Sequence, residues 1–207
     1  MNKLLLFGAG GHGRVVADIA KLSDEWSSIE FLDDQFPKLS RISEWNILGK
    51  FNEYQQFQKG NMKVCITIGD NNIRMKIFRM IEKDLQIVTL IHPSAVISKS
   101  ASIGVGTVIM ANSVVNIDAR IGKGCIINTS SIIEHDCILS DGVHISPGVN
   151  LAGNVFIGDN SWVGVGSTVK EGVTIESNAV IGAGAVVVKD VPEGMKVAGN
   201  PAKPIGH

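Results

Sequence analysis

An aliphatic residue recurs at every sixth position from Ile97 to Val187 without a miss, through Ile103, Ile109, Val115, Ile121, Ile127 and onward to Ile175 and Ile181. Two places before each stands a small or β-branched residue, among them Ala95, Ala101, Thr107, Ser113, Cys125, Cys137, Val149 and Ser167. A helix repeats at 3.6 and a strand at 2, so neither produces a period of six. The period is that of a parallel β-helix, in which each hexad makes one short side of a triangular coil and three hexads close a turn. The aliphatic residue is expected inside, and the small one at the corner. Gly104, Gly122, Gly158, Gly164 and Gly182 each follow an aliphatic position, which suits a tight bend with positive φ. An unbroken run of this length argues against chance periodicity in a chain rich in Val, Ile and Gly.

Composition excludes several function classes. The formal net charge is −1 and basic residues form no runs, so there is no electrostatic case for nucleic acid. The cysteines are odd in number, Cys65, Cys125 and Cys137, and two of them occupy the small ladder position. They read as reduced, buried thiols of a cytoplasmic protein, in preference to a disulfide or a metal site. No apolar run approaches a membrane span. The opening stretch from Met1 to Phe7 runs straight into glycine and is too short for a signal peptide.

Ahead of the repeat the pattern changes. Lys3 to Phe7 reads as a buried strand, followed by Gly8-Ala9-Gly10-Gly11-His12-Gly13 and then Arg14 to Ala20 at helical spacing. Strand, glycine turn and helix form the context in which such a turn can cradle a phosphate. The same turn can also serve only to pack a helix on a sheet. A second strand, Ile29 to Leu32, ends in Asp33-Asp34, acceptors for a ribose or a base. A third, Lys63 to Ile68, ends at Gly69-Asp70-Asn71, with a helix over Ile73 to Lys83 and a last strand over Val88 to Ile91. Asp24 to Glu30 and Gln35 to Asn52 are polar and irregular, and read as surface loops and short helices. The module is a half-size Rossmann-like βαβαβ unit, too short for a dinucleotide, so one nucleotide fits better. His12 either touches that ligand or merely opens the helix. The boundary falls at His92-Pro93, giving domains over 1–92 and 93–207.

On the coil most outward positions are polar, but Glu134-His135-Asp136 sets a histidine between two acids, and His144 follows. A neutral histidine is a general base near pH 7, and an adjacent carboxylate raises its basicity and fixes its tautomer. Asp136 needs a turn to reach His135, which a corner supplies. One coil onward from His135 lies Gly153. With coils about 4.8 Å apart, its backbone N–H is a plausible donor to an acyl carbonyl. The plain alternative is that His135 is a solvated coil residue. The spacing of the histidines matches no zinc pattern.

These residues resemble the hexapeptide-repeat acyltransferases with a left-handed parallel β-helix. More narrowly they are similar to the bacterial nucleotide-amino-sugar N-acetyltransferases, a group that includes sialic-acid O-acetyltransferases. The resemblance rests on the glycine turn, Phe31-Leu32-Asp33-Asp34, Ile68-Gly69-Asp70-Asn71, Asn128-Thr129, Glu134-His135-Asp136, Ala152-Gly153-Asn154 and Val197-Ala198-Gly199-Asn200-Pro201. It covers nearly the whole chain, and left-handedness comes from it alone, since crossovers are normally right-handed. It implies a cytoplasmic enzyme of surface-glycan precursor synthesis that moves the acetyl group of acetyl-CoA to the amine of a nucleotide-linked amino sugar. His135 would be the base, supported by Asp136. Some relatives carry Glu where Asp136 stands. His144, Gly153, Val165 and Ala183 would lie beside acetyl-CoA, in a groove between subunits of a homotrimer. Gly10, Gly11, His12, Asp33, Asp34 and Gly69 would line the nucleotide-sugar pocket. No metal and no covalent intermediate is implied, and Cys125 and Cys137 point inward. A sugar O-acetyltransferase, or a non-catalytic β-helix that binds nucleotide sugars, stays open. The register of His135, Asp136 and Gly153 argues against the latter.

Overall fold

The computed structural model describes residues 2–57 and 61–206; Met1 and His207, the outer ends of the expected domains, lie outside the described residues. The chain divides into two compact units, Met1–Leu90 and Ile91–His207.

The first unit runs β1 (Asn2–Phe7), α1 (Gly11–Lys21), β2 (Trp26–Leu32), β3 (Arg41–Ile42), β4 (Trp45–Gly49), β5 (Met62–Ile66), α2 (Asn71–Ile81) and β6 (Gln86–Ile87). The sheet order is β3-β4-β2-β1-β5-β6, parallel throughout except for the β3–β4 hairpin. Leu4 to Phe7 of β1 are all fully buried, as a strand covered on both faces requires. α1 buries Val16, Ala17 and Ala20, and α2 buries Met75, Phe78 and Ile81, each a stripe at helical spacing. Asp70 caps α2, its side chain accepting from the Ile73 N–H at 2.9 Å. Because β2 and β5 flank β1, the chain reverses its winding at the carboxyl ends of β1 and β5, the place where such sheets open a ligand crevice.

Two expectations are corrected here. Asp24 to Glu30 and Gln35 to Asn52 are not merely irregular: they supply most of β2 and the whole β3–β4 hairpin. These strands lie toward an edge and are only partly buried, so they carry no clean alternation, and pairing decides them. The last strand of the sheet is Gln86–Ile87 rather than Val88 to Ile91, because its register against β5 matches Gln86 to Lys63 and Ile87 to Val64.

In the second unit each hexad contributes a two-residue strand that pairs with the strand eighteen residues on, as Ile126 with His144 and His144 with Trp162. Three sheets result, one for each side of a triangular coil, parallel except where Lys196–Ala198 pairs antiparallel with Lys203–Pro204. The first side carries Ile126, His144 and Trp162, the second Ile132 and Asn150, the third Ile138 and Phe156. The aliphatic ladder forms one core from Ile109 to Val197. The small positions are buried with it, and their polar members are satisfied there. Ser113 donates to the Asn128 carbonyl and Ser167 to that of Gly182, both at 2.8 Å, and Cys137 Sγ lies 3.1 Å from that of Ala152. Burial pushes the Cys137 thiol up, and that of Cys65 in the first unit to about 12, so both stay protonated.

The expected position of the bend is also corrected. Positive φ falls three residues after the aliphatic one, at every sixth residue from Gly106 to Gly184, with Asn112, Asp118, Ser130, Asp136, Asn154 and Asn178 among them. Gly104, Gly122, Gly158, Gly164 and Gly182 have ordinary φ. A Cβ on Gly104 would strike the Gly122 backbone, and one on Gly182 would meet the Ala198 Cβ at 2.7 Å. They are glycines because adjacent coils pass too close for a side chain.

Candidate active site

The glycines at the carboxyl end of β1 fall into two kinds. Gly8 has φ +116°, and a Cβ on Gly13 would collide with the Gly8 carbonyl, so turn and helix packing require both. Gly10, Gly11 and Gly69 have no positive φ, and a Cβ at any of them would meet nothing within 4 Å. The fold does not require glycine at these positions. Their bareness leaves open space beside the winding reversal.

Side chains hold this region in place. Asp33 accepts from the Ala9 N–H at 2.8 Å through one carboxylate oxygen and from the Gln35 N–H at 2.9 Å through the other. It therefore pins the glycine turn. Thr67 Oγ1 lies 3.0 Å from the Phe7 carbonyl and 2.8 Å from that of Gly8. Asp34 is exposed and accepts from the Phe51 N–H at 3.2 Å. It lines a cavity of about 360 Å³ with Lys50, Phe51, Ile73 and Lys76. Gly11 opens on a different cavity of about 360 Å³ with Arg14, Asp18, Ser43 and Trp45. His12 is half-buried in the first turn of α1. The expected acidic pair is thus divided, Asp33 serving the turn and Asp34 facing a cavity. Lys50 and Lys76 also line it, and lone lysines carry no local pattern in a sequence. Arg14, in the opening turn of a glycine-led helix, was the detectable one.

On the coil, His135 and Asp136 occupy the corner between the second and third sides. Asp136 has φ +59°, and this left-handed turn brings its Oδ2 to 2.8 Å from His135 Nδ1. An ionised carboxylate only accepts, so Nδ1 carries the hydrogen and Nε2 presents its lone pair. Neighbouring coils grip the backbone on both sides: the His135 carbonyl accepts from Asn154 at 2.9 Å, and the Asp136 N–H donates to Ile117 at 3.1 Å. The imidazole is 56% exposed. Beside it, Asn116 Nδ2 donates to Glu134 Oε2 at 2.8 Å.

Gly153 lies directly against this ring. A Cβ there would collide with Cε1 and Nε2 of His135. Its flanking N–H groups serve the coil ladder, Ala152 to the Val169 carbonyl and Asn154 to that of His135. At another corner the equivalent N–H groups of Lys123 and Asp141 donate to Asp141 and Asp159 carboxylates. Among the described residues no hydrogen bond engages the Gly153 N–H. The imidazole and a residue with a spare N–H therefore sit side by side.

The remaining expected residues stand elsewhere on the coil. His144 faces outward on the first side, stacked on Trp162 with ring centroids 6.1 Å apart. Trp162 Nε1 donates to Ser146 Oγ at 2.7 Å. Val165 and Ala183 are exposed at the corner that follows that side. The corner bearing His135 is opposite the first side of the triangle. One chain therefore does not bring His135 together with His144. Among the described residues no group of three or more His, Cys, Asp or Glu side chains is placed to hold a metal, and no helix is long and apolar enough to cross a membrane.

Comparison with known proteins covers both units. The model described as the PglD N-terminal domain matches residues 3–81, and that of the bacterial transferase hexapeptide (six repeats) matches 154–189. The UDP-N-acetylbacillosamine N-acetyltransferase of Bacillus subtilis (strain 168) is 36% identical over 112 residues, 52% of this chain and 51% of that protein, so the chain matches about half the length of that relative. The acetyltransferase domain of PglB from Neisseria gonorrhoeae FA1090, solved also in complex with acetyl coenzyme A, is 39% identical, with a TM-score of 0.94 over 99% of this chain and 100% of that one. PerB from Caulobacter crescentus, in complex with CoA and GDP-perosamine, is 33% identical, with a TM-score of 0.94 over 100% of this chain and 98% of that one. The chain belongs to the hexapeptide-repeat family of nucleotide-amino-sugar N-acetyltransferases.

Proposed function

We propose that the protein transfers the acetyl group of acetyl-CoA to the amine of a nucleotide-linked amino sugar, with His135 as general base and without an acyl-enzyme. The observation that carries this reading is the corner itself. The ring of His135, oriented by Asp136, lies against Gly153, whose N–H no hydrogen bond engages among the described residues. A sugar ammonium gives its proton to Nε2, and the freed amine attacks the thioester carbonyl carbon. The Gly153 N–H donates to the oxyanion that forms, which is worth more beside a low-dielectric coil than in water. The C–S bond breaks as the carbonyl reforms, and coenzyme A leaves with the second proton of the attacking nitrogen, as the thiol. The first unit holds the nucleotide, with Gly10, Gly11, His12 and Gly69 bordering the crevice and Asp34 facing the nucleoside. Asp33 acts there by holding the turn. His144, Val165 and Ala183 meet acetyl-CoA from a second subunit, since their side of the coil is turned away from His135. Reduced, buried thiols fit a cytoplasmic setting.

The test compares His135→Ala and Gly153→Ala in steady state. His135 is largely exposed and should be lost without cost to folding, while kcat falls about 10²–10⁴-fold. Gly153→Ala, whose methyl displaces the ring, should lose comparable activity with its fold intact. Near-normal turnover by His135→Ala would rule out the assignment. Matched nucleotide sugars bearing amino or hydroxyl at one carbon decide the acceptor atom, with hydroxyl preference overturning the amine reading.

A further inference from the structure

Arg74 is 1% exposed and heads the fully buried side chains by volume. Burying a guanidinium is costly, and an apolar side chain of like volume often serves stability as well or better. An arginine buried here is held by the groups it serves. Its Nη1 donates to the Ile68 carbonyl at 2.9 Å and to the Gly69 carbonyl at 3.1 Å. Its Nη2 donates to Asn71 Oδ1 at 2.7 Å. Those two carbonyls lie past the end of β5 and before α2, where neither element supplies a partner for them.

The carbonyl and N–H of a trans peptide point in opposite directions. Drawing the Ile68 and Gly69 carbonyls onto one buried guanidinium turns the Gly69 and Asp70 N–H groups the other way. Among the described residues neither of these N–H groups is engaged, and a Cβ on Gly69 would enter open space. The main chain is thus the surface that a ligand meets. Thr67 and Asp33 grip the facing glycine turn in the same manner, through Phe7 and Gly8 carbonyls and the Ala9 N–H.

We propose that Arg74 is a positioning residue for the acceptor. It holds two main-chain N–H donors toward an oxygen of the nucleotide and so sets acceptor affinity without touching the ligand. This rests on the reading that the nucleotide lies at the carboxyl ends of β1 and β5.

The experiment measures KM for both substrates, kcat and thermal stability in Arg74→Met, Arg74→Lys and Asn71→Ala, with Gly69→Ala as a control at the crevice itself. Arg74→Met should lower the melting temperature somewhat, because the Ile68 and Gly69 carbonyls lose their donor, with the fold retained. Acceptor KM should rise about ten-fold or more, the loss expected of misplaced hydrogen-bond donors, while saturating kcat and the KM for acetyl-CoA stay put. Arg74→Lys, which retains part of the donor set, should restore part of the affinity. Asn71→Ala should shift acceptor KM in the same direction, and it decides the matter should Arg74→Met fail to fold. Unchanged acceptor KM in Arg74→Met or Asn71→Ala, while Gly69→Ala is impaired, overturns the inference and leaves the nucleotide site standing. Unchanged acceptor KM in all of them, Gly69→Ala included, overturns both. Equal losses for both substrates mean a structural role only.

Discussion

Glycine does opposite work at neighbouring positions of this chain. At Gly8 and Gly13 it is imposed by backbone angle and by contact, whereas at Gly10, Gly11 and Gly69 it keeps space clear. The second kind should be separable from folding. Gly11 is the first residue of α1 and has an ordinary helical backbone. Gly11→Ala should therefore raise unfolding stability by about 0.4–1 kcal/mol, by restricting the unfolded chain. The same methyl projects into the open space, so acceptor KM should rise several-fold. Denaturant unfolding and steady-state kinetics read the two effects, and an unchanged KM alongside a gain in stability would remove Gly11 from the pocket. Gly153 is a third kind, bare because the neighbouring coil's imidazole occupies the volume of its Cβ.

At the scale of the coil, one conformational demand recurs at every corner from Gly106 to Gly184. Each turn holds a residue with positive φ, filled by Gly, Asn, Asp or Ser. Such residues tolerate the left-handed region, where other L-residues lose about 1–2 kcal/mol. Asn178 is exposed, with φ +59°. Asn178→Ala should cost about 1 kcal/mol while Asn178→Gly stays within about 0.5 kcal/mol. The comparison is the shift in denaturant midpoint at constant slope, and equal midpoints would mean that the corner relaxes. Asp136 belongs to this series, so the turn that closes the coil is the turn that delivers its carboxylate to His135. This double duty was half legible: the pairing of the two residues could be read, but the bend was expected two residues too early. A period identifies which positions are equivalent. It does not say which of them bears the backbone strain.

At the scale of the second unit, the triangular section separates the residues proposed for the reaction. His135 is at one corner and His144 on the opposite side, and Val105, Ile117, Trp162 and Val165 leave apolar surface exposed. A homotrimer completes the site if one subunit's corner meets the first side of the next. Sedimentation should give three times the chain mass. Co-expressing His135→Ala with His144→Ala should then restore activity that each variant lacks alone. In cyclic order, one of the three sites of every mixed trimer carries neither substitution. Absence of complementation, or full activity at monomer mass, would refute the composite site.

The hexad ladder alone determined the coil, its eighteen-residue turn and its inward residues, because interior packing repeats identically and must be written in every turn. The strand, glycine and helix pattern likewise determined the first module's core, which is local in sequence. Tertiary structure alone decided the rest. The β3–β4 hairpin exists through pairing at a half-covered edge. Asp33 went to the glycine turn and Asp34 to a cavity because only the folded sheet brings Ala9 within reach of the first. The role of Arg74 is a contact among Ile68, Gly69 and Asn71 that α2 creates when it packs. Hydrophobic periodicity is a repeated, additive signal, whereas a single hydrogen bond is made once and leaves no period to read.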